Sequence, residues 1–337
     1  MNSSLKTLCV AGTLLAVAVP AVLAQAPPVD FSKFAPYTPT SNEGDFIIGP
    51  PYKNAPELTP NPDVPKGKIF HITMNSEDSM YYPGIVKGSV LITPYKRNVT
   101  VYVPAQYVPG KAAPFFVSQD SMTSGEAPTV LDNMIAAKRV PAMVAIFINS
   151  GGSDSLGSER GLEYDTVSGS YAEFIEAEVI PMVEKTCAVT LTKDPEGRMT
   201  MGGSSGAACA FTMAWFHPDL YHRVLSYSGT YVNQQWPPNG ESIHGAWEYH
   251  QTFVPNSKPK PLRIWMHVGE MDLRYKDDFS TYHNWVMANN LMASALKAKK
   301  YHYQYVFARE SGHVDGRVVR QTFPQALEWV WRGYKAK

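Results

Sequence analysis

The stretch Arg198–Phe211, RMTMGGSSGAACAF, sets two serines side by side among glycines and runs straight into an alanine-rich tail. RMTM reads as a short strand and AACAFTMAWF as a helix. A strand, a sharp turn with a serine at its tip and then a helix make a G-x-S-x-G elbow. In such an elbow, glycines two residues to either side let strand and helix close in around a strained serine. The register selects one of the two. Ser204 stands between Gly202 and Gly206, whereas Ser205 stands between Gly203 and Ala207 and lacks the second glycine. Taken alone, the pattern also describes an ordinary glycine-rich connection, so its weight depends on what the rest of the chain supplies.

Working outward, strands and helices alternate. PFFVSQD, AMVAIFINS, GRMTMGG, RVLSYSG, PLRIWMHVG and YHYQYVFA read as strands. TVLDNMIAAKR, SYAEFIEAEVIPMVEKT, FSTYHNWVMANNLMASALKAK and VVRQTFPQALEWVWRGY read as helices. Near-continuous apolar strands separated by helices imply a mostly parallel sheet covered on both faces. KIFHITMNS, GSVLITPY and NVTVYVPAQY, before this alternation, read as antiparallel entry strands. Residues 67–337 form one α/β domain in this reading. Residues 25–66 are rich in proline and read as an extended arm over the domain surface, unable to sustain a regular helix or a central strand, with Phe46, Ile47 and Ile48 as its anchors.

A serine hydroxyl attacks well only when a base takes its proton. In α/β-hydrolases the partners follow in the order Ser, Asp or Glu, His, each on a loop beyond a strand's carboxyl end. His313 meets that demand: it follows YHYQYVFA after a short loop and precedes the closing helix. His217 and His222 belong to the helix after the elbow and its end, and His267 lies within a strand. His244 and His250 flank Glu248 at a spacing that matches no strong metal motif. The acid belongs after PLRIWMHVG, where Glu270 and Asp272 both qualify; Asp272, slightly beyond the strand end, is the preferred one. Its task is to hold the imidazole tautomer and stabilise the imidazolium. An oxyanion hole then needs backbone N–H donors. Ser205, at the helix N-terminus, supplies one, and Ser121 or Met122 in FVSQDSMTSGE supplies the other. The reading calls for no metal and no cofactor.

Composition narrows the partners. Among 337 residues, 30 basic side chains balance 30 acidic ones, which gives no pull toward nucleic acid or an anionic membrane. Lys6, the apolar run Leu8–Val19 and VLA before Gln25 have the parts of a signal peptide over residues 1–24, so a secreted or periplasmic destination is expected. That run is too short to span a bilayer comfortably. Beyond the signal, only Cys187 and Cys209 remain, as one bridge or two buried thiols, and Asn98 opens an NVT sequon. The long connection from about Thr230 to Lys260 carries Tyr231, Trp236, Trp247 and Tyr249. Of these, Tyr231, Trp236 and Trp247 are candidates to stack on a substrate ring.

The pattern resembles the enterochelin-esterase-like branch of the putative esterase family, which shares its α/β-hydrolase fold with feruloyl esterases and S-formylglutathione hydrolase. The resemblance runs from about Val99 to the C-terminus through VSQDS, AIFINSGG, RGLEYD, YAEFIEAEVIPMVEK, GGSSGA, VGEMD and SGHVDGR. Ser204, Asp272 and His313 match the family's triad positions, and Ser121 replaces the usual glycine. The resemblance implies hydrolysis of a small-molecule or carbohydrate-linked carboxylic ester through an acyl-enzyme. Siderophore, feruloyl and acetyl esters fall within it, with Arg160, Arg274 and Lys276 as local basic residues for a catecholate. An acyltransferase of the same fold, like the mycolyltransferases, and a non-catalytic hydrolase-fold binding protein are the competing readings. Oligomeric state stays open.

Overall fold

Ten strands make the main sheet: β1 Ala35–Pro36, β2 Gly44–Ile48, β3 Lys68–Asn75, β4 Lys96–Val103, β5 Phe115–Gln119, β6 Val144–Ile148, β7 Arg198–Gly203, β8 Arg223–Tyr227, β9 Arg263–Gly269 and β10 His302–Ala308. The computed structural model describes residues 29–38, 42–86, 92–151 and 159–335; the signal-like segment lies outside them. The spatial order is β1-β2-β10-β9-β8-β7-β5-β6-β4-β3. Eight consecutive strands, from β1 to β6 in that order, are parallel, while β4 runs antiparallel to both β6 and β3. This is the α/β-hydrolase fold read from the strand pattern.

The parallel centre explains the apolar runs. Every residue of β5, β6, β7 and β8 is buried, because helices cover both faces. One face packs α3 Ser170–Phe174, α4 Ile180–Cys187, α5 Ser205–Phe216 and α6 Trp285–Ala298. The other packs α1 Ala127–Ala136 and α7 Gly316–Val330. Between α1 and α3 lies the six-residue α2, Glu159–Tyr164. The segment read as a single helix over 170–186 carries a π-turn, Ile175–Val179, between α3 and α4. Pro181 enters at the start of α4; its ring has no N–H to give and crowds the preceding turn, and a widened turn relieves both.

The proline-rich arm contributes strands to the sheet. Its proline-free stretch GDFII is β2, hydrogen-bonded in parallel to β10, and β1 adds outside it. Phe46 is buried, and Phe31 stacks on Phe307 with ring centres 4.0 Å apart. An uncovered β10 would expose a row of unpaired backbone groups, and the arm removes that edge. Segments rich in proline broke the strand pattern on either side of Gly44–Ile48, so a short apolar run was enough to form a strand. Of the entry strands, GSVLITPY falls partly outside the described residues, and its Ile92–Thr93 forms only a small ribbon with Ile85–Val86.

Candidate active site

Gly202, at the end of β7, approaches the first turn of α5 so closely that a Cβ there would stand 2.4 Å from the Gly206 carbonyl carbon. A Cβ on Gly206 would in turn stand 3.0 Å from the Gln119 Cβ, across on β5. Between them Ser204 takes φ 58° and ψ −129°, a conformation that costs a serine on the order of 1–3 kcal/mol and persists only where its surroundings enforce it. They do so here through the backbone. The Ser204 N–H donates to the Tyr227 carbonyl at 3.0 Å, and the Ser204 carbonyl accepts from Thr230, Ala207 and Ala208. The hydroxyl lies 3.4 Å from Thr230 Oγ1.

The loops after β9 and β10 meet beside it. His313 Nδ1 lies 2.5 Å from Asp272 Oδ1. Asp272 is almost fully buried and also accepts from the Leu273 N–H at 2.7 Å and the Gly269 N–H at 3.4 Å. Burial by itself pushes this carboxyl up, yet hydrogen bonds from His313 and Ser228 and the nearby imidazole charge hold it below the ordinary carboxylate value. Glu270 does something else: it accepts from Arg309 Nε at 3.1 Å and from the Glu310 N–H at 2.9 Å, at the base of the histidine loop. Gly269 allows that loop to close down, since a Cβ there would stand 2.4 Å from the Gly312 carbonyl oxygen.

The two halves touch through their neighbours. Val314, next to His313, packs within 3.1 Å of where a Gly203 side chain would begin, and its N–H donates to Ser228 Oγ at 3.0 Å. Trp285, the first residue of α6, donates from its indole to Thr230 Oγ1 at 3.3 Å and meets the His313 ring edge-on, centres 6.1 Å apart. Thr230, Ser228 and Trp285 were missed in the sequence reading. No motif marks them; the partners of each lie far away in the chain.

Around the elbow, Ser205 opens α5, so its N–H has no carbonyl one turn back within the helix. Its buried hydroxyl accepts from Gln234 Nε2 at 3.1 Å, a side-chain role that the motif did not reveal. In the loop after β5, the N–H of Ser121 donates to the Ile148 carbonyl and that of Met122 to the Gln119 carbonyl, both at 3.2 Å. Of the two, Met122 is the one over the elbow, its sulfur 3.3 Å from the position a Gly203 Cβ would take.

Two of the aromatic expectations are overturned. Tyr231 and Trp247 are fully buried: Tyr231 pairs its hydroxyl with Ser226 at 2.9 Å, and the Trp247 indole donates to Gln251 at 2.7 Å. The long connection folds inward as core, so neither ring has a face to offer a substrate. Trp236 remains 56% exposed. Arg160 is buried against Asp120, Arg274 pairs with Asp277, and the Lys276 ammonium lies 5.4 Å over the Tyr275 ring. His244 pairs with Glu248 while His250, buried, approaches the Tyr231 carbonyl; among the described residues no group of three metal-ligating side chains converges. Both Cys187 and Cys209 are buried free thiols.

With this geometry in hand, comparison places the chain. A family model described as putative esterase matches residues 92–330. The chain belongs to that esterase family. No curated protein sequence matches it. Among solved structures, this esterase-family chain is similar to the enterobactin esterase from Shigella flexneri, solved in the presence of 2,3-di-hydroxy-N-benzoyl-serine. That likeness has 17% identity and a TM-score of 0.57 over 81% of this chain and 61% of that one. It is also similar to a feruloyl esterase module from Clostridium thermocellum complexed with sinapinate, at 18% identity and a TM-score of 0.55, over 88% of this chain and 99% of the other. The esterase-family chain thus spans about three fifths of the enterobactin esterase (61%) and nearly all of the feruloyl esterase module (99%). At these identities the likeness establishes the shared fold.

Proposed function

We propose that this protein hydrolyses carboxylic esters through an acyl-enzyme on Ser204. The observation that carries the reading is the joint one: a strained elbow serine, a histidine held by a buried carboxylate, and Thr230, Trp285 and Val314 packed between the two. Asp272 accepts from Nδ1 of His313, which leaves Nε2 as the ring's basic nitrogen. In the reaction His313 takes the Ser204 proton as the hydroxyl oxygen bonds to the ester carbonyl. The resulting oxyanion is met by the Ser205 N–H, supported by the α5 dipole, and by the Met122 N–H once it turns from the Gln119 carbonyl. His313 then returns the proton to the leaving alcohol as the carbonyl–oxygen bond breaks. Water, deprotonated by the same ring, releases the acid and frees Ser204.

The substrate we propose is an extracellular ester of the feruloyl- or acetyl-carbohydrate or siderophore type, reached by secretion through the N-terminal segment. Membership of an esterase family supports the reaction class. The sinapinate complexed with the feruloyl esterase module and the 2,3-di-hydroxy-N-benzoyl-serine present with the enterobactin esterase support an ester that carries an aromatic ring, and exposed Trp236 offers such a ring a stacking face. An ester panel on purified protein, with feruloyl, acetyl and catecholate members, tests the class. Hydrolysis of at least one, together with fluorophosphonate labelling at Ser204, is expected. No turnover and no label at Ser204 would remove the proposal.

A further inference from the structure

Beside the proposed oxyanion hole, Asp120 brings a negative charge to a place that chemistry would rather keep free of it. Its Oδ2 lies 3.4 Å from the position of a Gly206 Cβ, hence against the first turn of α5. Reaction builds a second negative charge at the same helix end, so an uncompensated carboxylate opposes it and competes for the dipole. Arg160 supplies the compensation. Its Nε lies 3.2 and 3.1 Å from the two Asp120 oxygens and its Nη2 2.7 Å from Oδ2. The pair is largely enclosed, with side-chain exposures of 10% and 31%.

The same helix, α2, also fixes the backbone on both sides of the hole. The Asp120 N–H donates to the Tyr164 hydroxyl at 3.2 Å, while the Arg160 guanidinium lies 5.4 Å over the Tyr164 ring. Asp120, Ser121 and Thr123 all hold left-handed φ values, of 56°, 50° and 63°, so the turn that carries Met122 needs external support. On the other side, just past α2, Asp165 accepts from Gln234 Nε2 at 3.0 Å, and that amide also donates to Ser205 Oγ. Glu163, buried and ion-paired with Arg97, anchors α2 itself.

We propose that Arg160 is a positioning residue of the oxyanion hole. It neutralises Asp120, so that the α5 N-terminus is left to the oxyanion. The inference rests on the esterase reading, and its test reads each separately: the second-order rate at which a fluorophosphonate labels Ser204, whose phosphoryl oxygen occupies the hole whatever the natural ester. Arg160→Gln is expected to slow labelling on the order of 10²-fold, as loss of an oxyanion donor does. Asp120→Asn stays within about threefold of wild type, because an uncharged amide keeps hydrogen-bonding capacity. The decisive variant combines them: removing the stranded charge should bring the double variant back to within about tenfold of wild type, a non-additive recovery. A merely structural brace would leave the double variant as slow as Arg160→Gln or slower, and that result overturns the proposal, as does a wild-type rate in Arg160→Gln. Should Arg160→Gln fail to fold, Arg160→Lys replaces it; a point charge without the planar fork is expected to slow labelling about tenfold, and an unchanged rate overturns the proposal equally. A wild-type protein not labelled at Ser204 removes the esterase reading and this inference with it; labelling at Ser204 that ignores Arg160 removes only the inference.

Discussion

The elbow and the acid–base loops build one site by opposite means. Around Ser204 the shape is set mostly locally: Gly202 and Gly206 lie within two residues of the serine and the strain sits in its own φ of 58°, with backbone bonds to Tyr227 and Thr230 holding it in place. Around His313 it is assembled from a distance. Asp272 lies 41 residues earlier, and Ser228 and Trp285 come from two further segments. A locally built element depends on backbone space, whereas one assembled across loops depends on hydrogen-bond partners. The two halves should therefore fail differently.

The largest effect is expected at the nucleophile. Ser204→Ala should abolish ester turnover and fluorophosphonate labelling, while Ser205→Ala should keep the label; the opposite result would move the nucleophile to Ser205. Next, Asp272→Asn is expected to lower kcat by about 10⁴-fold with the fold intact, since the imidazole loses its orienting acceptor. Near-normal kcat would show that the histidine half does not depend on this carboxylate.

The elbow half is tested by space. Gly202→Ala places a methyl 2.4 Å from backbone that cannot step aside, with an expected cost of about 3 kcal/mol in denaturant unfolding. A cost near zero would mean that the strand and helix are free to separate. A smaller effect concerns the strand beneath the acid. His267 is fully buried with neither ring nitrogen hydrogen-bonded among the described residues, and burial lowers it from 6.5 to about 4. The unfolded chain thus binds a proton near pH 6.5 that the folded chain refuses until about pH 4. Stability from this group is full above pH 6.5 and is lost as pH falls toward 4, by up to about 1.4 kcal/mol per pH unit. His267→Phe should flatten that part of the unfolding free-energy profile; an unchanged slope would place the pH dependence elsewhere. Smallest of all, Glu270→Gln should change kcat by less than about threefold, because an exposed ion pair at the loop base contributes little. A loss comparable to that of Asp272→Asn would return the acid role to Glu270.

The legible parts of the fold were those whose cause is periodic or local. All-apolar runs such as FFVSQ and VAIFI become central parallel strands because both faces are covered, and no partner needs to be known to read that. The arm shows where this stops: β2 is a strand because β10 has an edge to cover, and nothing within GDFII announces that edge. Tyr231 and Trp247 show it again. Aromatic residues in a long connection look the same in sequence whether they face solvent or the core, and only the packing of that segment under α6 and against α5 buries them.

The site divides along the same line. Sequence alone determined the α/β alternation and the elbow register that singles out Ser204 as the proposed nucleophile, with Asp272 and His313 following in order, because glycine spacing and position after a strand are written within a few residues. Tertiary structure alone decided that Asp272 rather than Glu270 meets His313, that Thr230 and Trp285 link the two halves, and that Arg160 faces Asp120. Those pairings join loops that strand order brings to one end of the sheet, and a hydrogen bond between residues far apart in the chain leaves no local mark on either partner.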